Sequence, residues 1–246
     1  MNKTALKGAL ISAVIVTTAL AAGHAVADGS LGTAPAGGHD AERRYAVTIR
    51  VATRGQPIAP SVFVTHDRRV SIFEVGPADE ADPGYEGLAI LAETGAPDAL
   101  ADALAGVPGV DSVTVLLAPT HPAPPVLMPG ESNGTVVTAS KNKRFFSAVG
   151  MLAATNDAFY AVRGVPLPRK GSITVYGAVY DAGSEPNTEL LADIPAGGNG
   201  AYNSPDEPGE GHIHVHAGIH GTGTLDPATH DWRNPAVEIT ITRLAD

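Results

Sequence analysis

Two groups of polar residues in the C-terminal half of the chain have the residue types and the spacing of metal ligands. The first contains Asp157, in a Thr-Asn-Asp motif, together with Asp181 and Glu185, in an Asp-Ala-Gly-Ser-Glu motif. Each motif follows a predicted strand (144–153 and 172–180), and both lie at one end of the sheet if the two strands run in the same direction. Carboxylate oxygens, supplemented by backbone carbonyls and water, are the ligands of Ca²⁺. Because Asp, Asn and Gly are also ordinary turn residues, the spacing leaves a calcium site and two plain turns as alternatives.

The second group is a run of alternating histidines. His212, His214 and His216 are spaced two apart, and His220 follows. In a strand such residues share one face, and neighbouring imidazoles suit Zn²⁺ or Cu²⁺. Successive same-face positions are roughly 6.6 to 7 Å apart, so adjacent pairs can share one ion, whereas all three require a bent strand. The alternative is a polar strand face whose imidazoles form hydrogen bonds to nearby carboxylates.

The chain lacks the local motifs of common enzymes. It contains no G-x-S-x-G, P-loop, G-x-G-x-x-G after a strand or H-E-x-x-H pattern, which are the signatures of hydrolases, nucleotide-binding proteins and metalloproteases. The absence of cysteine excludes thiol catalysis and Cys-rich zinc sites. The sequence therefore predicts a protein that is not an enzyme.

The composition indicates an acidic domain that is rich in turns. The chain has 246 residues, 28 glycines and 20 prolines, and its net charge is −10. Such a charge disfavours binding to the phosphate backbone of nucleic acids and favours binding of cations. An apolar fraction of 43% is too high for a disordered chain.

Residues 1–27 have the three parts of a secretory signal peptide. Lys3 and Lys7 give a positive start, residues 8–22 are apolar, and Ala-Val-Ala at 25–27 resembles a cleavage site. The apolar run is shorter than the roughly 20 residues of a membrane-spanning helix, and no later segment is long enough. We therefore expect export to a periplasm or the extracellular space, with no transmembrane anchor after cleavage. Residues 28–43 are small, polar and Gly-rich, which predicts a flexible tether before a domain at 44–246.

Short alternating segments separated by turns predict an all-β fold. The predicted strands are residues 45–51, 61–65, 70–75, 110–117, 134–138, 144–153, 172–180, 212–216 and 236–244. Leucines at three- and four-residue spacings predict two short helical insertions, at 86–93 and 98–105. This order of elements is typical of an antiparallel β-sandwich.

Several motifs in this chain occur in the same order in one known family. They are Thr53-Arg-Gly-Gln-Pro57, Val64-Thr-His-Asp67, Ser71-Ile-Phe-Glu-Val-Gly76, Met151-Leu-Ala-Ala-Thr-Asn-Asp157, Tyr180-Asp-Ala-Gly183, Gly211-His-Ile-His-Val-His-Ala-Gly218 and Asp231-Trp-Arg-Asn-Pro235. With them the chain, from about residue 44 to 244, resembles the spondin N-terminal domain in the form found in exported bacterial proteins.

The resemblance implies a C2-like β-sandwich that holds a calcium ion at one end. Two of the family's aspartate ligands match Asp157 and Asp181. A third family ligand, a glutamate, falls near Thr138, where this chain has no acid; this departure implies weaker calcium binding or replacement by Glu185 or another carboxylate. The implied function is a binding or adhesion module whose partner is an extracellular protein or polysaccharide. The alternative is a periplasmic or secreted copper- or zinc-binding protein that uses the histidine strand.

Overall fold

Ten β-strands and three α-helices form the regular structure of the residues that a computed structural model describes, namely 42–79, 82–118, 125–203 and 208–245. The strands are β1 (Arg43–Val51), β2 (Ile58–His66), β3 (Gly76–Pro77), β4 (Val110–Leu116), β5 (Ser132–Ala139), β6 (Phe145–Leu152), β7 (Ala158–Pro166), β8 (Ser172–Asp181), β9 (His212–Val215) and β10 (Val237–Arg243). The helices are α1 (Pro83–Thr94), α2 (Asp98–Ala105) and α3 (Pro227–His230). The predicted signal peptide, and the predicted tether up to residue 41, lie outside the described residues. Within the described ranges no helix has the length and hydropathy needed to cross a bilayer.

The strands pair in antiparallel fashion in the order β4-β2-β6-β7-β8-β10-β1-β5, while β9 pairs with β8 and β3. Strand β8 changes partners along its length, because residues 172–177 pair with β10 and residues 178–181 pair with β7. The outer strands β4 and β5 are connected by a hydrogen bond from Ser140 N to Asp111 Oδ2 (2.6 Å). The result is a nearly closed, barrel-like sheet, and the predicted all-β, antiparallel class is confirmed.

Apolar side chains pack on both faces of β2, β6 and β7. Phe63 and Tyr160 belong to the cluster shared with β1 and β10, whereas their neighbours Val62 and Phe159 belong to a second cluster. Leucines of α1 and α2 cover this second cluster; they are Leu88, Leu91, Leu100 and Leu104. Burial of each such large side chain contributes about 1.5–3 kcal/mol to folding. The helices are thus needed because these strands are apolar on both sides.

The predicted strand at residues 70–75 is wrong. Only β3, just after this segment, pairs with β9. Ile72 and Phe73 are adjacent and both buried, whereas adjacent residues of a strand point to opposite faces. The carbonyl of Phe73 accepts hydrogen bonds from Ser71 Oγ (2.7 Å) and Arg163 Nη2 (2.9 Å). Side chains, rather than a neighbouring strand, therefore satisfy this backbone.

Strand β7 is absent from the sequence prediction. Its residues 158–162 are all buried, so they lack the alternation of polar and apolar residues that identifies a half-buried strand. Because β7 is antiparallel to both β6 and β8, those two strands run in the same direction. The segment that follows β6 and the end of β8 consequently lie at the same end of the sheet.

Candidate metal centre

The junction of β7 and β8 brings two buried aspartates together. Asp157 immediately precedes β7, Asp181 is the last residue of β8, and Ala158 pairs with Asp181 in the ladder. Both side chains are fully buried. With the exposed Glu210 they form a cluster in which one carboxylate oxygen from each residue lies within 4.8 Å of the other two. It is the one group of three or more possible protein ligands found among the described residues.

Asp157 has one satisfied oxygen and one unsatisfied oxygen. Its Oδ2 accepts hydrogen bonds from Ser184 N (2.8 Å), Ser184 Oγ (3.2 Å) and Glu185 N (3.1 Å). Its Oδ1 is buried and has no hydrogen-bond partner in the described part of the chain. Burial, together with the charge of Asp181, raises the pKa of Asp157 well above its usual range. A buried carboxylate oxygen without a partner is costly, and a bound cation removes that cost.

The side-chain amide of Asn187 binds both Asp181 and Glu210. Asp181 Oδ1 accepts a hydrogen bond from Gly183 N (2.8 Å), and its Oδ2 accepts one from Asn187 Nδ2 (2.7 Å). The same Nδ2 donates to Glu210 Oε1 (3.0 Å). Burial raises the pKa of Asp181, and the charge of Glu210 adds to the rise although the Asn187 hydrogen bond opposes it. The cluster therefore concentrates negative charge that a divalent cation would neutralise.

Glycines allow the segment carrying Glu210 to approach the end of β8. Gly183 has a left-handed backbone (φ 67°), and a Cβ atom there would collide with the backbone of His212. Gly211 N donates to Gly183 O (2.9 Å). A Cβ atom on Gly209 would lie 2.5 Å from the same carbonyl oxygen. The close backbone contact between these two segments places Glu210 next to Asp181.

The structure places the predicted acidic residues in different roles. Asp157 and Asp181 contribute carboxylate oxygens to the cluster, whereas Glu185, which is also buried, contacts Asp157 through its backbone N–H. The third carboxylate is that of Glu210, to which the sequence analysis assigns no metal role. Thr138 lies in β5, where it pairs with β1 rather than with the strands that form the cluster. The sequence signal for Glu210 is its position between Gly209 and Gly211, just before the predicted strand at 212–216; the pairing of that strand with the end of β8 is visible only in the structure.

His212 and His214 share a face of β9. Their rings stack with centroids 4.7 Å apart. His212 Nδ1 bonds to Glu210 O (3.0 Å) and His214 Nδ1 bonds to His212 O (3.2 Å). Because a carbonyl oxygen only accepts hydrogen bonds, both Nδ1 atoms carry a proton, and in the neutral imidazole Nε2 then has a free lone pair. His214 Nε2 lies 3.8 Å from Asp181 Oδ2.

His216 turns into the protein just beyond β9. Its ring is buried, with its centroid 4.9 Å from that of Trp232. Its Nδ1 accepts a hydrogen bond from Gly218 N (2.9 Å), so the proton is on Nε2, which donates to Asn187 Oδ1 (3.0 Å). Burial lowers the pKa of His216 to about 4. His220 is exposed, and its backbone N–H donates to Glu189 Oε1 (2.7 Å). The four histidines thus do not form one cluster.

Comparison of the sequence with known proteins gives no assignment. The resemblance to spondin N-terminal domains rests on the motifs quoted above, and two of those motifs contain the cluster residues Asp157 and Asp181. No family model and no curated protein matches the chain.

Proposed function

We propose that the protein is an exported, non-enzymatic binding or adhesion module that is stabilised by a calcium ion bound to Asp157, Asp181 and Glu210. One observation carries this proposal: Asp157 Oδ1 is buried without a hydrogen-bond partner in the described residues, beside two further carboxylates. The proposal includes a C2-like β-sandwich of the spondin type. The all-β, antiparallel sheet supports that architecture at the level of fold class.

The ligand chemistry favours calcium over a softer metal ion. All three side chains offer only carboxylate oxygen, and Ca²⁺ takes six to eight such hard ligands in a flexible arrangement. The protein supplies part of that number, so water and carbonyl oxygens occupy the remaining positions. Asp157 and Asp181 are buried, whereas Glu210 is exposed. The ion is therefore reached from the Glu210 side, where a carboxylate of a partner completes its coordination.

The proposed location and partner are supported by the sequence of the rest of the chain. The signal-peptide pattern of residues 1–27 supports export to a periplasm or the extracellular space. A calcium ion that is open on one side suits an extracellular protein or polysaccharide that carries carboxylate groups. The acidic net charge of −10 favours a bridging cation between the protein and such a partner, because like charges repel.

Calcium binding by the tag-free protein tests this proposal. Titration calorimetry is expected to show binding of Ca²⁺ to the dialysed wild type, and saturation is expected to raise its Tm because the ligand binds only the folded state. In Asp157→Asn the amide oxygen keeps the hydrogen bonds that Oδ2 accepts, and an NH2 group replaces Oδ1. One charge and one ligand are therefore removed, and both effects are lost. Asp102→Asn, an exposed substitution of the same kind on α2, is expected to retain both. Absence of calcium binding in the wild type contradicts the proposal, as does equal binding by Asp157→Asn.

The binding role requires a separate readout. Calcium-dependent retention of the wild type on immobilised acidic polysaccharide or extracellular protein is expected. The Asp157→Asn variant should be retained no better than the wild type in EGTA. Retention that is independent of calcium would contradict the proposal that the partner binds through the calcium ion.

A further inference from the structure

The imidazoles of His212 and His214, beside the acidic cluster, are oriented as metal ligands would be. A histidine that binds a metal through Nε2 typically donates its Nδ1–H to a backbone carbonyl or a carboxylate, which fixes the ring and its tautomer. His212 and His214 both have this arrangement, since their Nδ1 atoms donate to Glu210 O (3.0 Å) and His212 O (3.2 Å). Both Nε2 lone pairs are therefore available.

We propose that His212 and His214 form a second cation site, which binds a transition-metal ion such as Zn²⁺ or Cu²⁺ through their two Nε2 atoms. The rings stack on one face of β9 with centroids 4.7 Å apart. The backbone that carries them is fixed on both sides, because His214 pairs with Asp181 of β8 and His212 pairs with Pro77 of β3. The stacking places both imidazoles side by side, and imidazole ligands bind such an ion at about 2.0–2.1 Å.

The surroundings supply negative charge and room for water. Asp181 Oδ2 lies 3.8 Å from His214 Nε2, so a cation bound to the imidazoles is attracted to this carboxylate. His212 is exposed, and the side chain of His214 is 31% exposed. Water therefore completes the coordination shell, as expected for a site that takes up metal from solution.

The other two histidines of the motif are outside this site. His216 Nδ1 accepts a hydrogen bond from Gly218 N (2.9 Å), which forces its proton onto Nε2 and removes the lone pair that a metal would need there. His220 lies beyond the end of β9, and no group of three possible metal ligands among the described residues includes it. Two of the four histidines remain, and for His216 the exclusion rests on hydrogen bonds rather than on spacing.

Titration of the tag-free protein with Zn²⁺ alone tests the site. The wild type is expected to bind a single Zn²⁺. Either His212→Asn or His214→Asn should weaken binding by about tenfold or more, and the double variant should abolish it. These substitutions are at accessible side chains, so the Tm without metal serves as the check on folding. His220→Asn is the matched control and should bind as the wild type does. The proposal is overturned if the double variant binds normally or if His220→Asn loses binding equally.

Two further measurements distinguish the histidine site from the proposed calcium site. Asp157→Asn should retain Zn²⁺ binding, because it changes the acidic cluster and leaves both imidazoles; loss of Zn²⁺ in this variant would show that the two sites are one. Electron paramagnetic resonance of the Cu²⁺-loaded protein should show coupling to imidazole nitrogen in the wild type and in His220→Asn. That coupling should disappear in the double variant, and its persistence there would contradict the assignment.

Discussion

Asn187 connects the carboxylates of the acidic cluster to the buried His216 through one chain of hydrogen bonds. Its Nδ2 donates to Asp181 and Glu210, while its Oδ1 accepts from Nε2 of His216. His216 in turn is fixed by Gly218 N. The amide therefore cannot rotate without breaking several contacts, and it sets the positions of two proposed calcium ligands.

Replacing Asn187 by Leu is expected to weaken calcium binding by about 10–100-fold, the usual cost of losing a residue that orients metal ligands. Leu has the same branching at Cγ as Asn but no donor, so Asp181 and Glu210 lose their common anchor. Titration calorimetry with Ca²⁺ measures the effect, with circular dichroism as a check on folding. Asn133→Leu is the control, because Asn133 is on β5 and its amide bonds to Leu117 O. Equal affinities of the two variants would contradict the role of Asn187.

A close backbone contact holds helices α1 and α2 against each other. Asp82 caps α1 by accepting a hydrogen bond from Gly84 N (2.9 Å), and Gly95, with φ 73°, ends the helix. The chain reverses there, so that α2 packs directly on α1. At Gly87 the backbones come so close that a Cβ atom would lie 2.7 Å from Leu100 Cα. This contact holds the leucines of both helices over β2, β6 and β7.

Substitution of Gly87 by Ala is expected to reduce the free energy of unfolding by about 1–3 kcal/mol, the usual cost of overpacking. In an exposed helix the same change would add about 1 kcal/mol, because Ala is the better helix former. Gly84→Ala, in the same helix, is the control: a Cβ atom there meets only the Asp82 side chain, at 3.2 Å or more, and should lower stability less than Gly87→Ala does. Urea unfolding measures both variants, and a gain of stability in Gly87→Ala would disprove the close helix contact.

The stability of the whole molecule is expected to depend on pH, and the buried side chain of His66 contributes to this dependence. His66 Nδ1 donates to Asp67 O (2.6 Å), and its Nε2 accepts from Ser147 Oγ (2.8 Å). Ser147 Oγ also accepts from Gly164 N (2.9 Å), so the contact joins β2, β6 and β7. Burial lowers the pKa of His66 below its ordinary value.

A lowered pKa means that the unfolded chain binds a proton more readily than the folded protein. The contribution of His66 is therefore fully present above about pH 6.5, the ordinary value for histidine. It declines as the pH falls through the interval between that value and the lowered pKa. Urea unfolding between pH 8 and pH 5, with EGTA present, is expected to show a steeper loss of stability for the wild type than for His66→Gln. Parallel curves would show that His66 does not contribute.

Local patterns in the sequence by themselves determined much of the secondary structure, because the periodicity of apolar side chains differs between helices and strands. The alternating apolar residues of β1 and the leucine spacing of α2 identify these elements without reference to the rest of the chain. The same reasoning placed Asp157 and Asp181 at the ends of strands. Since β6 and β8 run in the same direction, that placement brings both aspartates to one end of the sheet.

Only the tertiary structure decided which other residues join them. Glu210 enters the cluster because glycines permit backbone contact between segments that are distant in sequence. His212, His214 and His216 have the same spacing. His216 nevertheless has the opposite tautomer, because its Nε2 donates to Asn187, which is 29 residues away, and its Nδ1 accepts from Gly218 N. Buried strands such as β7 lack a polar face, so periodicity cannot reveal them. The physical reason is common to all three cases: long-range packing and hydrogen bonding, rather than local propensity, determine where these side chains lie.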